Sequence, residues 1–180
     1  MFNPLRKLVK KVASNDKFGI RLLATMLVCY PEITTITYEP QNSELTLDFI
    51  IEGEIEGSEL DVFMQLVDES IQTYHGIADG SKVYLAAEAE SYSKDTNVIH
   101  LHRELVTITT EELSIIVGLF KDKYGKRIKL DAPPLEILDP DFLENQTRAL
   151  EELLEQTDKI HINCRLLGAR EENRVVVYNR

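Results

Sequence analysis

The chain has 180 residues, 43% hydrophobic and 28% charged, which is typical of one globular domain. Its net charge is −11, and an acidic surface repels the phosphates of nucleic acid, so no nucleic-acid partner is expected. The longest mostly apolar stretch, residues 18–30, is interrupted by Arg21 and is shorter than the roughly 20 residues that span a bilayer. A transmembrane helix is therefore not expected.

The first 22 residues differ in charge from the rest of the chain. Six basic residues there stand against one acid, a local charge of +5, while the remainder carries −16. Over residues 2–13 apolar residues recur at helical spacing, and Arg6, Lys7, Lys10 and Lys11 fill the other side. This pattern predicts a short basic amphipathic helix. It can pack on its own domain, contact a partner or sister subunit, or lie on an anionic membrane surface.

Helices and hairpins alternate along the rest of the chain. Ser14-Asn15-Asp16 interrupts the first helix and offers an N-cap to the next. Gly76 is expected to end the helix predicted over residues 58–75. In chain order the predicted elements are a helix over 16–30, strands 33–39 and 45–51, a helix over 58–75, strands 82–92 and 98–105, a helix over 110–124, a short strand 127–131, a helix over 140–156, and strands 160–167 and 174–178.

This order predicts the fold class. Hairpins require antiparallel pairs, and recurring helix–hairpin units predict an α+β fold: a mainly antiparallel sheet with helices mostly on one face, an αββ-type sandwich. A ferredoxin-like connection is an alternative for part of the sheet. We divide the chain into a basic N-terminal helix at 1–15 and a single α+β domain at 16–180, with a candidate hinge at the Pro-rich residues 132–138.

The histidines are the first candidates for chemistry. His100 and His102 lie two residues apart on a predicted strand and so share its polar face, and His161, Asn163 and Arg165 share the polar face of another predicted strand. If those strands are neighbours, three imidazoles could meet, and three histidines can hold zinc. The spacing is not diagnostic, so a solvated or interface sheet face is the preferred interpretation and no metal is expected.

No catalytic or cofactor signature accompanies these histidines. The sequence lacks a Gly-x-Ser-x-Gly elbow, a P-loop, and a Gly-x-Gly-x-x-Gly after a strand. The acidic groups at 52–56 and 88–90 fit a solvated face, and those at 139–144 fit helix capping and the helix dipole. We therefore expect no cofactor, and catalytic residues stay unknown.

These patterns predict a non-enzymatic interaction or regulatory domain that acts through an exposed sheet face and its basic N-terminal helix. The expected partner is a second copy, forming a homodimer, or another protein. Two alternatives stay open: a metal-dependent enzyme using His100, His102 and His161, and a peripheral membrane protein. Cys29 and Cys164 lie in apolar runs without a secretory signal, which indicates buried free thiols and a cytoplasmic location.

Overall fold

The computed structural model describes residues 4–130 and 139–180, with side chains from residue 16 onwards. Its first element is one long helix, α1, Pro4–Cys29. The predicted break at residues 14–16 is wrong, because the backbone stays helical through it. Asp16 does not cap a second helix: its buried carboxylate accepts hydrogen bonds from Cys164 Sγ at 2.8 Å and from Asn179 Nδ2 at 3.1 Å. These bonds fasten α1 to the last hairpin.

Hairpins and helices alternate after α1, as predicted. The strands are β1 Thr35–Glu39, β2 Glu44–Glu52, β3 Leu85–Ser93, β4 Thr96–Glu104, β5 Leu166–Glu171 and β6 Arg174–Asn179. The further helices are α2 Gly57–Ala78, α3 Thr110–Tyr124 and α4 Pro140–Leu154, with short 3-10 turns at Leu105–Thr107 and Gly125–Arg127. Over the described residues this gives four α-helices and one six-stranded antiparallel sheet, which confirms the predicted α+β class.

The sheet is open, with the strand order β3-β4-β2-β1-β5-β6. In the β2–α2–β3–β4 portion, β4 lies between β2 and β3, which is the order that the ferredoxin-like alternative requires. The other neighbour of β2 is β1, its own hairpin partner, so the likeness ends there. The two edges of the sheet are β3 and β6.

The helices pack on one face of this sheet and form a single core. Phe49 of β2 stacks on Phe120 of α3 with ring centroids 3.8 Å apart, and Phe63 of α2 meets that ring edge-on at 5.0 Å. In the other half of the core, Leu27 of α1 lies so close to Gly168 of β5 that a Cβ there would come within 2.9 Å of its side chain. The opposite sheet face is therefore left to polar and half-buried side chains.

The end of α2 lies beyond its predicted position. Gly76 is inside the helix, which continues to Ala78. The carbonyl of His75 accepts hydrogen bonds from the backbone N–H groups of both Asp79 and Gly80. Gly80 has φ +73°, so this glycine, and not Gly76, supplies the left-handed turn that ends the helix.

The last hairpin begins later than predicted. β5 starts at Leu166, so the prediction of a strand from residue 160 is wrong. Leu166 pairs with Tyr38 at the end of the β1–β5 ladder, and none of residues 160–165 pairs with β1. Ile162 is buried instead, and its carbonyl accepts a hydrogen bond from the Tyr38 hydroxyl at 3.4 Å.

The predicted strand at 127–131 is also wrong over its described part. Arg127 ends a 3-10 turn, and Ile128 forms only an isolated bridge with Ile51. The guanidinium of Arg127 donates to the carbonyls of Glu52 and Glu54 at 2.8 and 2.6 Å. The candidate hinge at 132–138 lies outside the described residues, as do the side chains of residues 1–15.

Candidate functional site

The face of the sheet turned away from the helices, called the outer face below, is built by strand alternation. Along β2 and β4 every second residue is buried in the core, and the residues between them are half-buried on the other side. The strand registers then align the outer-face residues across the sheet. They include Thr35, Thr37, Glu44, Thr46, Asp48, Ile50, Glu88, Glu90, Val98, His100, His102, Leu167, Ala169, Val176 and Tyr178.

His100 lies among carboxylates on this outer face. Its Nδ1 is 2.6 Å from Asp48 Oδ1, and its Nε2 is 3.6 Å from Glu90 Oε2. The other Asp48 oxygen accepts a short hydrogen bond from the Thr35 hydroxyl. Burial lowers the pKa of His100, but hydrogen bonds to Asp48 and Glu90 and the charges of Asp48 and Glu88 outweigh it and raise that pKa above its ordinary value.

His102 has a similar set of partners one pleat along the strand. Its Nε2 is 3.2 Å from Glu88 Oε1, while its Nδ1 is 3.0 Å from Thr46 Oγ1 and 3.3 Å from Glu44 Oε1. The side chain of His102 is 21% exposed and that of Glu88 is 71% exposed. Because a contact with a carboxylate as exposed as that of Glu88 contributes at most about 1 kcal/mol, it orients the His102 ring more than it stabilises the fold.

The outer face has two chemically different halves. The half on β2, β3 and β4, called the acidic half, carries Glu44, Asp48, Glu88, Glu90, His100 and His102, with Thr46, Ile50 and Val98 between them. The half on β1, β5 and β6, called the apolar half, carries Thr35, Thr37, Leu167, Ala169, Val176 and Tyr178, with the opposed charges Glu171 and Arg174 at its end. A surface of this composition can recognise a partner that carries both cationic and apolar groups.

The second group of predicted site residues is not on a strand. His161, Asn163 and Arg165 lie exposed in the irregular segment before β5. Arg165 Nε is 3.5 Å from Glu39 Oε2, an exposed ion pair at the end of β1. In residues 16–130 and 139–180, no three or more histidine, cysteine or carboxylate side chains form a group that could hold a metal ion. The three predicted imidazoles thus do not form a metal centre there.

A buried charged cluster was missed by sequence reasoning. Glu112 of α3 accepts hydrogen bonds from Arg103 Nε at 2.5 Å and Arg103 Nη2 at 2.9 Å, and its Oε2 is 2.5 Å from His75 Nε2 of α2. Arg103 and Glu112 are 0% exposed and His75 is 3% exposed. Arg103 also donates to the Tyr84 carbonyl at 2.6 Å and to Thr107 Oγ1 at 3.1 Å.

The sequence does carry a signal for this cluster. Alternation along β4 places Arg103 on the same face as Ile99 and Leu101, so a charged residue falls at a core position and needs a buried partner. Thr109 and Glu112 also have the spacing of a capping box, in which each side chain accepts from the other residue's backbone N–H, and half of that box forms: Thr109 Oγ1 accepts from the Glu112 N–H at 3.1 Å. The Glu112 carboxylate, however, turns into the core.

An open cavity of about 550 Å³ lies next to this cluster, between the end of α2, the start of α3 and the end of α4. Its lining includes His75 and Thr109 and the acidic residues Glu111, Glu155 and Asp158. Its polar lining is already satisfied in part, since Thr109 Oγ1 is 3.0 Å from the Tyr74 hydroxyl.

The predicted contact residues Arg6, Lys7, Lys10 and Lys11 belong to α1, but their side chains lie outside the described residues. Within residues 4–130 and 139–180, no helix combines the length and apolar character needed to cross a membrane. Comparison of the chain with protein-family models, curated proteins and solved structures found no significant match.

Proposed function

We propose that this protein is a non-enzymatic interaction domain whose working surface is the outer face of its sheet. A single observation supports the proposal: helices cover one sheet face, while the other presents half-buried and exposed polar side chains that are held in a network of short contacts. An exposed surface with organised polar groups beside apolar ones is typical of a protein-binding site. Two unpaired cysteines also suit the cytoplasm, where thiols stay reduced.

The charge of the outer face favours a basic partner. Its acidic half holds four carboxylates against two imidazoles. In a homodimer that packs this face against itself, the acidic half meets either another acidic half or the apolar half, where the one arginine of β6, Arg174, lies directly opposite Glu171 and the two charges offset each other. We therefore favour a different protein with cationic and apolar groups over the homodimer expected from the sequence.

Site-specific photo-crosslinking in cells tests the proposal. A benzophenone amino acid is placed at Thr37 in the middle of the outer face, and in a matched variant at Val62, which is 70% exposed on α2. We expect a defined protein adduct from position 37 that is lost when Leu167→Asp is added beside it, and no such adduct from position 62. Equal adducts from both positions, or none from position 37, would contradict the proposal.

The mass of the adduct separates the two kinds of partner. An adduct with a different protein supports the charge argument. An adduct whose mass is twice the 20.6 kDa of one chain would show that the outer face forms a homodimer and would overturn the basic-partner version.

A further inference from the structure

The edge strand β3 lacks most of the protection that edge strands carry. It ends the sheet next to β4, and no other described strand pairs with its free side. Residues 87–93 are exposed on both faces, so the helices do not cover this strand. It contains no lysine or proline, the residues that usually block pairing with a further strand, and its one irregularity lies at Ser91–Ser93.

The two faces of β3 differ in chemistry. Glu88 and Glu90 point to the outer face, with side chains 71% and 66% exposed. Ala87 and Ala89 point to the other face, where their small side chains leave room for a larger neighbour. Tyr84 and Tyr92, 61% and 76% exposed, lie at the two ends of this stretch.

We propose that β3 binds an extended basic peptide segment of the partner protein, which adds to the sheet as a seventh strand. Main-chain hydrogen bonds along the free edge would supply affinity, and alternate side chains would supply specificity. Lysine or arginine at every second position faces Glu88 and Glu90, and apolar residues between them cover Ala87 and Ala89. The inference rests on the proposed function, because it names the partner's chemistry at the edge of the same acidic half.

The same charges disfavour a second copy at this edge. In an antiparallel pairing of two β3 strands centred on Glu88, Ala89 or Glu90, a glutamate lies directly opposite a glutamate. Like charges in such cross-strand pairs are destabilising. The edge thus resists self-pairing and favours a strand of opposite charge.

Fluorescence anisotropy with a capped, labelled heptapeptide of alternating lysine and valine tests the proposal on the full chain. The double variant Glu88→Lys/Glu90→Lys should weaken binding at least tenfold and should gain binding of the same peptide with glutamate in place of lysine. The control Glu152→Lys/Glu155→Lys changes net charge equally at exposed positions on and just after α4 and should stay within twofold of wild type. A misfolded variant would bind neither peptide, so the gained binding of the glutamate peptide shows that the variant is folded and has lost only the charge contact.

Three results would overturn the proposal: no binding at millimolar peptide, equal weakening by both double variants, or undiminished binding of a peptide N-methylated at alternate amides. The last would show that main-chain pairing is not used. Peptide-induced amide chemical-shift changes should cluster at residues 84–92. If peptide binding fails while Leu167→Asp still removes the crosslinked partner, only the edge-strand inference is contradicted. If the peptide binds β3 as expected while Leu167→Asp leaves the crosslink unchanged, the role of the outer face is contradicted and the edge-strand inference stands.

Discussion

Replacing Arg103 with methionine tests how the buried charged cluster holds β4, α2 and α3 together. The change keeps most of the apolar stem but removes four hydrogen bonds, two to Glu112 and one each to Tyr84 and Thr107. Glu112, 0% exposed, then keeps only His75 Nε2, at 2.5 Å, as a side-chain partner. Leaving one member of a buried ion pair behind costs about 3–5 kcal/mol, a large part of the roughly 5–15 kcal/mol that stabilises a domain.

Urea unfolding followed by circular dichroism at pH 7 measures this cost, with the m-value as a check that the unfolded state is unchanged. Removing both charges in Arg103→Met/Glu112→Leu should cost less than the sum of the two single changes, with a coupling free energy of about 2 kcal/mol. Arg148→Met, which breaks an exposed pair with Glu144 on α4, should show no measurable change. A loss below about 1 kcal/mol for Arg103→Met, or simple additivity, would refute the reasoning.

Three further predictions concern other parts of the fold. Asp48→Asn should lower the pKa of His100, measured by NMR titration. In the wild type the raised pKa of His100 gives a stabilising contribution at low pH that is lost as pH rises through that pKa, and the variant should lack this contribution. An unchanged pKa would contradict the ion pair between His100 and Asp48. Gly19→Ala should destabilise the protein by about 1–3 kcal/mol, because the new Cβ would lie 2.5 Å from a methyl group of the buried Leu166. Gly118→Ala, where no atom lies within 4 Å of the new Cβ, should stabilise helix α3 by up to about 1 kcal/mol. Thermal unfolding that reverses this order would disprove the packing around Gly19. Burial raises the pKa of Cys29 to about 11, so alkylation at pH 8 should be slow in the native state and fast in urea, and equal rates would show an exposed thiol.

Local signals in the sequence predicted the elements whose ends are capped by their own residues. Thr109 accepts a hydrogen bond from the Glu112 N–H at the start of α3, and Asp139 accepts one from the Asp141 N–H at the start of α4. The β1–β2 hairpin follows in the same way from its alternation and its turn. These helix starts and this hairpin depend on residues only a few positions apart, so they can be predicted from the local sequence.

The misplaced boundaries depend on residues far apart in the chain. Asp16 bonds to residues 148 and 163 positions away, so its cap-forming character is not used. The backbone of Val83 pairs with the Gln72 side chain, Nε2 to the carbonyl at 2.7 Å and N–H to Oε1 at 3.2 Å, which takes it out of the predicted strand and lets β3 begin at Leu85. The start of β5 depends likewise on where β1 ends.

The sequence predicted only the part of the candidate site that depends on alternation within a single strand. Alternation along β4 alone predicts that His100 and His102 share the face opposite Ile99 and Leu101, and both side chains do lie on the outer face. The same inference failed for His161, because it required a strand that has no partner at that position. The carboxylates that surround the two imidazoles come from β2 and β3, and only the strand order brings them there.

Histidine labelling with diethyl pyrocarbonate tests most directly whether the outer face is open. His161, exposed before β5, is the accessible standard, and His75, 3% exposed, is the protected one. At pH 7.5 in the native protein, His100 and His102 should be modified at rates between these two, and His75 only after unfolding in urea. Protection of His100 and His102 equal to that of His75 would show that the outer face is covered, and would contradict its role as a binding surface.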